Sequence, residues 1–221
     1  MNRINAILFD LDGTLLDSAP DLVAALNFVR QKEGLPALEV KGMSQFVSHG
    51  AVGLINAGMP GCNEQEFELR KALFLERYAG HSFVSSRLYE GIPDLLKFLE
   101  HSGIPWGIVT NKNEALTKPI MKASGLEHRA SCVVCGDTLA LSKPHPAPVV
   151  LACALLEVEA SNTLFVGDDV RDVQAGRAAG TQTAVVHYGY GSSEFSEEWL
   201  IGSIGVNHPS DLIEQVKKQN V

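Results

Sequence analysis

The sequence predicts an α/β fold: a doubly wound parallel sheet with a small all-helical insert after its first strand. Two observations lead to this. From Ile92 onward, short apolar runs alternate with helical patterns, as in successive βαβ units. Between Asp17 and Ser82, no segment reads as a convincing strand, and apolar residues recur at helical spacing. The expected organisation is a core of residues 1–16 and 83–221, interrupted by a helical domain of residues 17–82.

The elements follow in order. Ile4 to Phe9 is a buried strand. Ser18-Ala-Pro-Asp21 is a helix start, with a capping Ser, an early Pro and an Asp three residues on. That helix runs to about Glu33, with Leu22, Ala25, Leu26 and Val29 on one face and Gly34 as its stop. Two further helices are expected, Ser44 to Ala57 and Asn63 to Tyr78. Arg70 and Arg77 in the latter have many acidic neighbours and read as a solvated face. Helices are then expected at Ile92–His101, Glu114–Ser124, Pro146–Leu156, Val170–Ala179 and Asp211–Lys218. Strands are expected at Trp106–Val109, Cys132–Cys135, Thr163–Val166 and Thr183–Val186. Right-handed crossovers bring the strand ends to one edge. The Gly189-Tyr-Gly-Ser-Ser193 stretch reads as a flexible loop.

Bulk properties narrow the partners. The chain has 221 residues, 45% apolar and 20% charged, as in soluble globular proteins. Its net charge of −8 argues against nucleic acid or an anionic membrane surface as the main partner. No apolar run approaches the ~20 residues of a membrane span. The first residues lack a signal-peptide pattern, so a cytoplasmic location is expected. Cys132 and Cys135 lie in a strand, where their thiols face opposite sides of the sheet, so they read as buried thiols of a reducing compartment. The size suits a monomer or homodimer.

Four short segments carry the chemistry. The first is Asp10-Leu-Asp12-Gly-Thr14, which follows an apolar strand. The Gly turn lifts its carboxylates to the strand edge, where ligands bind in open α/β sheets. One carboxylate can serve as nucleophile, its neighbour as proton donor and acceptor, and the two can hold a hard cation. In the second, Ile108-Val-Thr110-Asn111-Lys112, the Thr110 hydroxyl and the next backbone N–H can hold phosphate oxygens. A strand-ending Thr can equally cap the following helix. In the third, Ser142-Lys143-Pro144-His-Pro146, the Pro keeps Lys143 extended. Its ammonium can neutralise nucleophile and phosphate, or it is a solvated surface Lys. The fourth, Phe165-Val-Gly-Asp168-Asp169-Val-Arg-Asp172, delivers paired carboxylates to a helix start, where the dipole favours acids in any case. Magnesium takes one or two carboxylates plus substrate phosphate, a need that Asp10 and Asp168 fill.

In this order, the four segments resemble the haloacid dehalogenase-like hydrolases, most of which are phosphatases. The resemblance covers essentially the whole chain. It implies Asp10 as nucleophile and metal ligand, and Asp12 as general acid/base that also lends its backbone carbonyl to the metal. It implies Thr110, Asn111 and Lys143 on phosphate and Asp168 on Mg2+, with Asp169 and Asp172 as supporting or water-bridged partners. The 17–82 insert corresponds to the helical cap of that family. Cap contacts to a small phosphorylated metabolite are expected from Ser48, His49 and Gly50, although His49 also reads as a surface or helix-end histidine.

The expected reaction is hydrolysis of a small phosphomonoester through an aspartyl-phosphate. The pattern resembles the phosphoglycolate phosphatases. The strings Trp106-Gly-Ile-Val-Thr-Asn-Lys, Lys143-Pro-His-Pro-Ala-Pro and Tyr188-Gly-Tyr190 are similar to N-acetylmuramic acid 6-phosphate phosphatases. A β-phosphoglucomutase-type mutase is the alternative on the same core, and a catalytically silent binding module is the third reading.

Overall fold

A computed structural model of the chain describes residues 3–191 and 197–220. The elements run β1 (Ala6–Phe9), β2 (Leu16–Asp17), α1 (Ala19–Lys32), α2 (Val40–Met43), α3 (Gly50–Gly58), α4 (Glu64–Gly80), β3 (Arg87–Leu88), α5 (Ile92–His101), β4 (Trp106–Val109), α6 (Glu114–Ala123), β5 (Cys132–Val134), α7 (Ala147–Leu155), β6 (Thr163–Gly167), α8 (Val170–Ala179), β7 (Gln182–Val186), α9 (Glu197–Leu200), β8 (Ile204–Val206) and α10 (Pro209–Asn220). Six strands form one parallel sheet in the order β5-β4-β1-β6-β7-β8.

β1 lies at the centre because its four residues are fully buried and apolar on both faces. Ile7 and Phe9 join one apolar cluster with α5, α6 and α10, whereas Ala6 and Leu8 join a second with α7 and α8. The chain leaves β1 with one neighbouring half of the sheet on each side. Its carboxyl end is therefore a topological switch point.

Between Ala19 and Gly80 the elements are helical, as expected, and polar contacts tie them to one another. The Asn27 amide donates to the Leu38 carbonyl and accepts the Leu38 N–H at 2.9 and 2.8 Å. Arg30 donates to the Pro36 and Gly58 carbonyls. Arg70, expected on a solvated face, instead makes a two-pronged pair with Glu33 at 2.7 and 2.6 Å and donates to the Met59 carbonyl. It joins α4 to α1, a role that charge patterning cannot reveal. Arg77 lies 5.0 Å from the Phe28 ring centroid.

Several elements differ from expectation. The single helix expected over Ser44–Ala57 is a 3-10 turn, Ser44–His49, followed by α3, because Gly50 adopts φ +62°. Leu16–Asp17 pairs antiparallel with Arg87–Leu88, a two-residue ladder too short to leave a periodic signal. β8 was missed for the same reason, and it carries a central Gly. Ser18 makes no side-chain cap: it is not extended and N2 is Pro20, which has no N–H, while the Ala19 N–H is taken by the Tyr190 hydroxyl at 2.8 Å.

Cys132 and Cys135 are buried free thiols as expected. Cys132 lies against α7, with its Sγ 3.8 Å from the Ala152 carbonyl oxygen. No helix among the described residues is long and apolar enough to cross a membrane.

Candidate active site

All four sequence segments converge at the carboxyl edge of the sheet, around a cavity of 440 Å³. Asp10 follows β1 directly, Thr110 follows β4, and Asp168 follows β6. β1 pairs in register with both β4 and β6, so these residues must be neighbours. The Asp-Gly turn after β1 is sterically compulsory. Gly13 sits at φ +84°, and a Cβ there would stand 2.2 Å from Asp168 Oδ2.

Lys143 is buried at the centre. Its ammonium has three donors and meets three acceptors: Asp10 Oδ1 at 2.8 Å, Asp172 Oδ1 at 2.7 Å and the Val109 carbonyl at 2.7 Å. Burial opposes its charge, but Asp10 and Asp172 outweigh burial and hold its pKa above the usual lysine value. The Asn111 side chain donates to the Lys143 carbonyl at 2.8 Å and accepts the Lys143 N–H at 3.0 Å. The Asn111 side chain is thus committed to aiming the lysine, which leaves its backbone N–H as the group expected on phosphate. Thr110 Oγ1 accepts the Lys112 N–H at 3.2 Å, and Thr110 lines the cavity.

Asp10, Asp168 and Asp172 present oxygens that lie within 4.8 Å of one another. Asp168 is buried and accepts from Thr14 Oγ1 at 3.0 Å and from the Tyr190 and Gly191 N–H groups at 2.9 and 3.1 Å. Burial first, then Asp10 and Asp172, push its carboxyl well above the ordinary range. Asp172 is pushed up to about 7, chiefly by burial against the opposing pull of Lys143. Asp172, expected in a supporting place, stands in the same cluster as Asp10 and Asp168.

Asp169 has a different task. With Asp172 it forms the capping box of α8, and it grips Arg171 through both oxygens at 2.7 Å. Arg171 reaches on to the Ser48 carbonyl.

When all five carboxylates (Asp10, Asp12, Asp168, Asp169 and Asp172) are ionised they face three cations (Lys112, Lys143 and Arg171), an excess of two negative charges that joins burial in raising Asp168 and Asp172 where no cation offsets it. A buried, all-oxygen cluster with that imbalance fits a hard divalent cation.

Lys112 was not singled out from the sequence. Its ammonium pairs with Asp12 Oδ2 at 2.7 Å and lies 4.9 Å from the Tyr78 ring centroid. The available signal was its place three residues past the end of β4, on the edge where the acids collect. Asp12 Oδ1 is buried and accepts no hydrogen bond from the described residues.

Three further participants were passed over: Thr14, Tyr190 and Gly191. Through Tyr190 and Gly191, residues 189–191 pack on Asp168, while Ser192 and Ser193 lie outside the described residues. Ser48, His49 and Gly50 line the same cavity, together with Val52, Lys71, Phe74, Leu75 and Tyr78.

Known proteins with similar sequences point the same way. An N-acetylmuramic acid 6-phosphate phosphatase of Pseudomonas aeruginosa is 42% identical over 213 residues, covering 96% of this chain and 94% of its own. A phosphoglycolate phosphatase of Xanthomonas campestris pv. campestris is 39% identical over 185 residues, covering 84% of each chain. The crystal structure of a predicted phosphoglycolate phosphatase from Haemophilus somnus 129PT superposes with a TM-score of 0.82 at 28% identity, covering 97% of this chain and 98% of that one. The family model of the haloacid dehalogenase-like hydrolases matches residues 7–186. This chain belongs to the haloacid dehalogenase-like hydrolase family.

Proposed function

We propose that the chain is a magnesium-dependent phosphatase that hydrolyses a small phosphomonoester through an aspartyl-phosphate on Asp10. One observation carries this reading. Asp10 stands 2.8 Å from the Lys143 ammonium, within a triad of carboxylates, and a second carboxylate, Asp12, lines the same cavity.

Asp10 attacks phosphorus and the ester oxygen leaves. Asp12 gives that oxygen its proton, then takes a proton from the water that hydrolyses the aspartyl-phosphate. Its unpartnered Oδ1 is the oxygen available for both transfers, while Lys112 holds Oδ2. Lys143 offsets charge on Asp10 and on the transferring phosphoryl oxygens, joined by the Thr110 hydroxyl. Asn111 acts by fixing the lysine. Asp10, Asp168, Asp172 and the Asp12 backbone carbonyl are the groups that would hold Mg2+. When bound, the metal supplies electrostatic stabilisation of the transferring oxygens.

In this reading, residues 17–82 are a cap over a core of 1–16 and 83–221. The cap closes the cavity with Ser48, His49, Gly50 and an apolar wall of Val47, Val52, Phe74 and Leu75. A two-carbon acid would fill little of 440 Å³. The space and its apolar wall favour a sugar-sized leaving group, such as N-acetylmuramic acid 6-phosphate, over 2-phosphoglycolate. Buried free thiols favour a reducing, cytoplasmic location.

The deciding experiment is phosphate release with Mg2+ from both compounds, with Asp10→Asn as the blank. A kcat/KM of roughly 10⁴ M⁻¹s⁻¹ or more for one compound is expected, and several orders of magnitude less from folded Asp10→Asn. Appreciable turnover by the folded Asn variant would overturn the nucleophile assignment. Phosphoryl return to sugar without phosphate release would establish a mutase.

A further inference from the structure

The strap Tyr188–Gly191, which follows β7, lies directly on Asp168. Tyr190 and Gly191 both donate their N–H groups to Asp168 Oδ2, at 2.9 and 3.1 Å. The fit is backbone to carboxylate. A Cβ on Gly189 would stand 2.3 Å from the Asp168 Cβ, and one on Gly191 would stand 2.4 Å from the Asp168 carbonyl oxygen.

From the same strap, side chains reach the chain segments that join the helical insert to the core. The Tyr190 hydroxyl donates to Asp17 Oδ1 at 2.5 Å and accepts the Ala19 N–H at 2.8 Å. It therefore satisfies one of the free N–H groups at the start of α1, where Ser18 makes no side-chain cap. The Tyr188 hydroxyl donates to the Thr14 carbonyl at 3.2 Å, and its ring lies 4.8 Å from that of Tyr89 on the returning segment. Tyr89 in turn donates its N–H to the Leu15 carbonyl at 3.1 Å. One short strap thus holds a carboxylate of the cation cluster with its backbone and the outgoing segment, 14–19, with its hydroxyls.

We propose that Tyr190 is a positioning residue that couples occupancy of the cation site at Asp168 to the placement of the 17–19 connection, through which the helical insert is carried. The proposal rests on the phosphatase reading. A carboxylate that shifts to meet a cation moves the strap. The strap moves Asp17 and Ala19, because both bond one rigid phenol. Coupling of this kind is reciprocal, so an insert held in place also favours cation binding.

The test uses the full chain with Mg2+ alone. Titration calorimetry gives the Mg2+ affinity, and hydrogen exchange reports the peptides covering 15–22 and 84–90 with and without Mg2+. In the native protein, Mg2+ should slow exchange in 15–22. In Tyr190→Phe, that response should disappear and Mg2+ should bind about fivefold more weakly or worse, the lower end of common coupling energies. Asp17→Ala should reproduce both changes. Asp17→Asn, which keeps an acceptor for the phenol, should restore them. If Tyr190→Phe does not fold, the two Asp17 variants decide by themselves.

The proposal is overturned if folded Tyr190→Phe or Asp17→Ala binds Mg2+ within about twofold of native with the 15–22 response intact, since the phenol then serves stability alone. It is also overturned if the native protein binds Mg2+ with no response in 15–22. A native protein that neither binds Mg2+ nor releases phosphate overturns the phosphatase reading along with it.

Discussion

Replacing Asp21 with Asn should cost far more than an isosteric change normally does. Asp21 lies in the first turn of α1 and is 4% exposed. It faces the returning segment and accepts four hydrogen bonds at 2.9 Å or less: the N–H groups of Val84, Ser85 and Ser86, and the Ser86 hydroxyl. Burial alone would raise its pKa. The Ser86 hydroxyl and the three backbone donors overcome burial and hold it below the usual carboxylate value.

Asn keeps the shape but loses the charge. Its NH2 end must also face a donor that Asp accepted. Bonds to a charged group are worth roughly 1.5–3 kcal/mol each, and a stranded buried donor costs about 1–3 kcal/mol. With partial relaxation the loss should be about 2–4 kcal/mol, or roughly 5–15 °C in melting temperature at this chain length. Urea unfolding of both proteins at neutral pH measures it.

The pH dependence gives a second check. A lowered carboxylate contributes stability that is present above its unfolded value near ~3.9 and is lost as pH falls through its folded value. The gap between native and Asp21→Asn should therefore close on acidification below about pH 4. A neutral-pH difference under about 0.5 kcal/mol would refute this account of the clasp.

Other predictions concern the site and the thiols. Asp168 and Asp172 are raised in the folded chain, so the metal-free protein should lose stability as pH rises through about 7. On the proposed reading Mg2+ would bind their deprotonated forms, so it should lift the melting temperature more at roughly pH 8 than at roughly pH 5.5; equal shifts would contradict this. Gly13→Ala should lower stability by about 1–3 kcal/mol and abolish Mg2+ binding measured by calorimetry, because its Cβ occupies the space of Asp168 Oδ2. Unchanged Mg2+ affinity would show that the turn relaxes freely. Cys132 is pushed up to about 11 by burial, and burial also raises Cys135 and Cys153. A thiol reagent near neutral pH should label part-exposed Cys62 promptly and the other three only as the chain opens; rapid labelling of all four would contradict that burial.

Three of the four chemical segments were legible in the sequence because each sits where an apolar strand ends; the third, around Lys143, lies in the loop between β5 and α7. In a parallel sheet with right-handed crossovers, such ends share one edge. The helical character of Ala19–Gly80 was legible from periodicity, and most strands from their unbroken apolar runs. Pairings between residues far apart in the chain were not. Lys112 meets Asp12 across 100 positions, Arg171 meets Ser48 across 123, and Tyr190 meets Asp17 across 173. Local pattern carries no information on such distances.

Asp172 shows the limit most sharply. The sequence marks it as an acidic residue in the first turn of a helix, and the family resemblance places it as a supporting or water-bridged partner. The path of α8 beside β6, with Lys143 arriving from another loop, turns it inward to join Asp10 and Asp168. Residue type and strand order determined which chemistry was possible at this edge. Tertiary packing decided which acid joins the Asp10–Asp168 cluster, which is spent on an arginine and which lysine holds each, because those choices depend on side-chain directions set only when the sheet and helices close on one another.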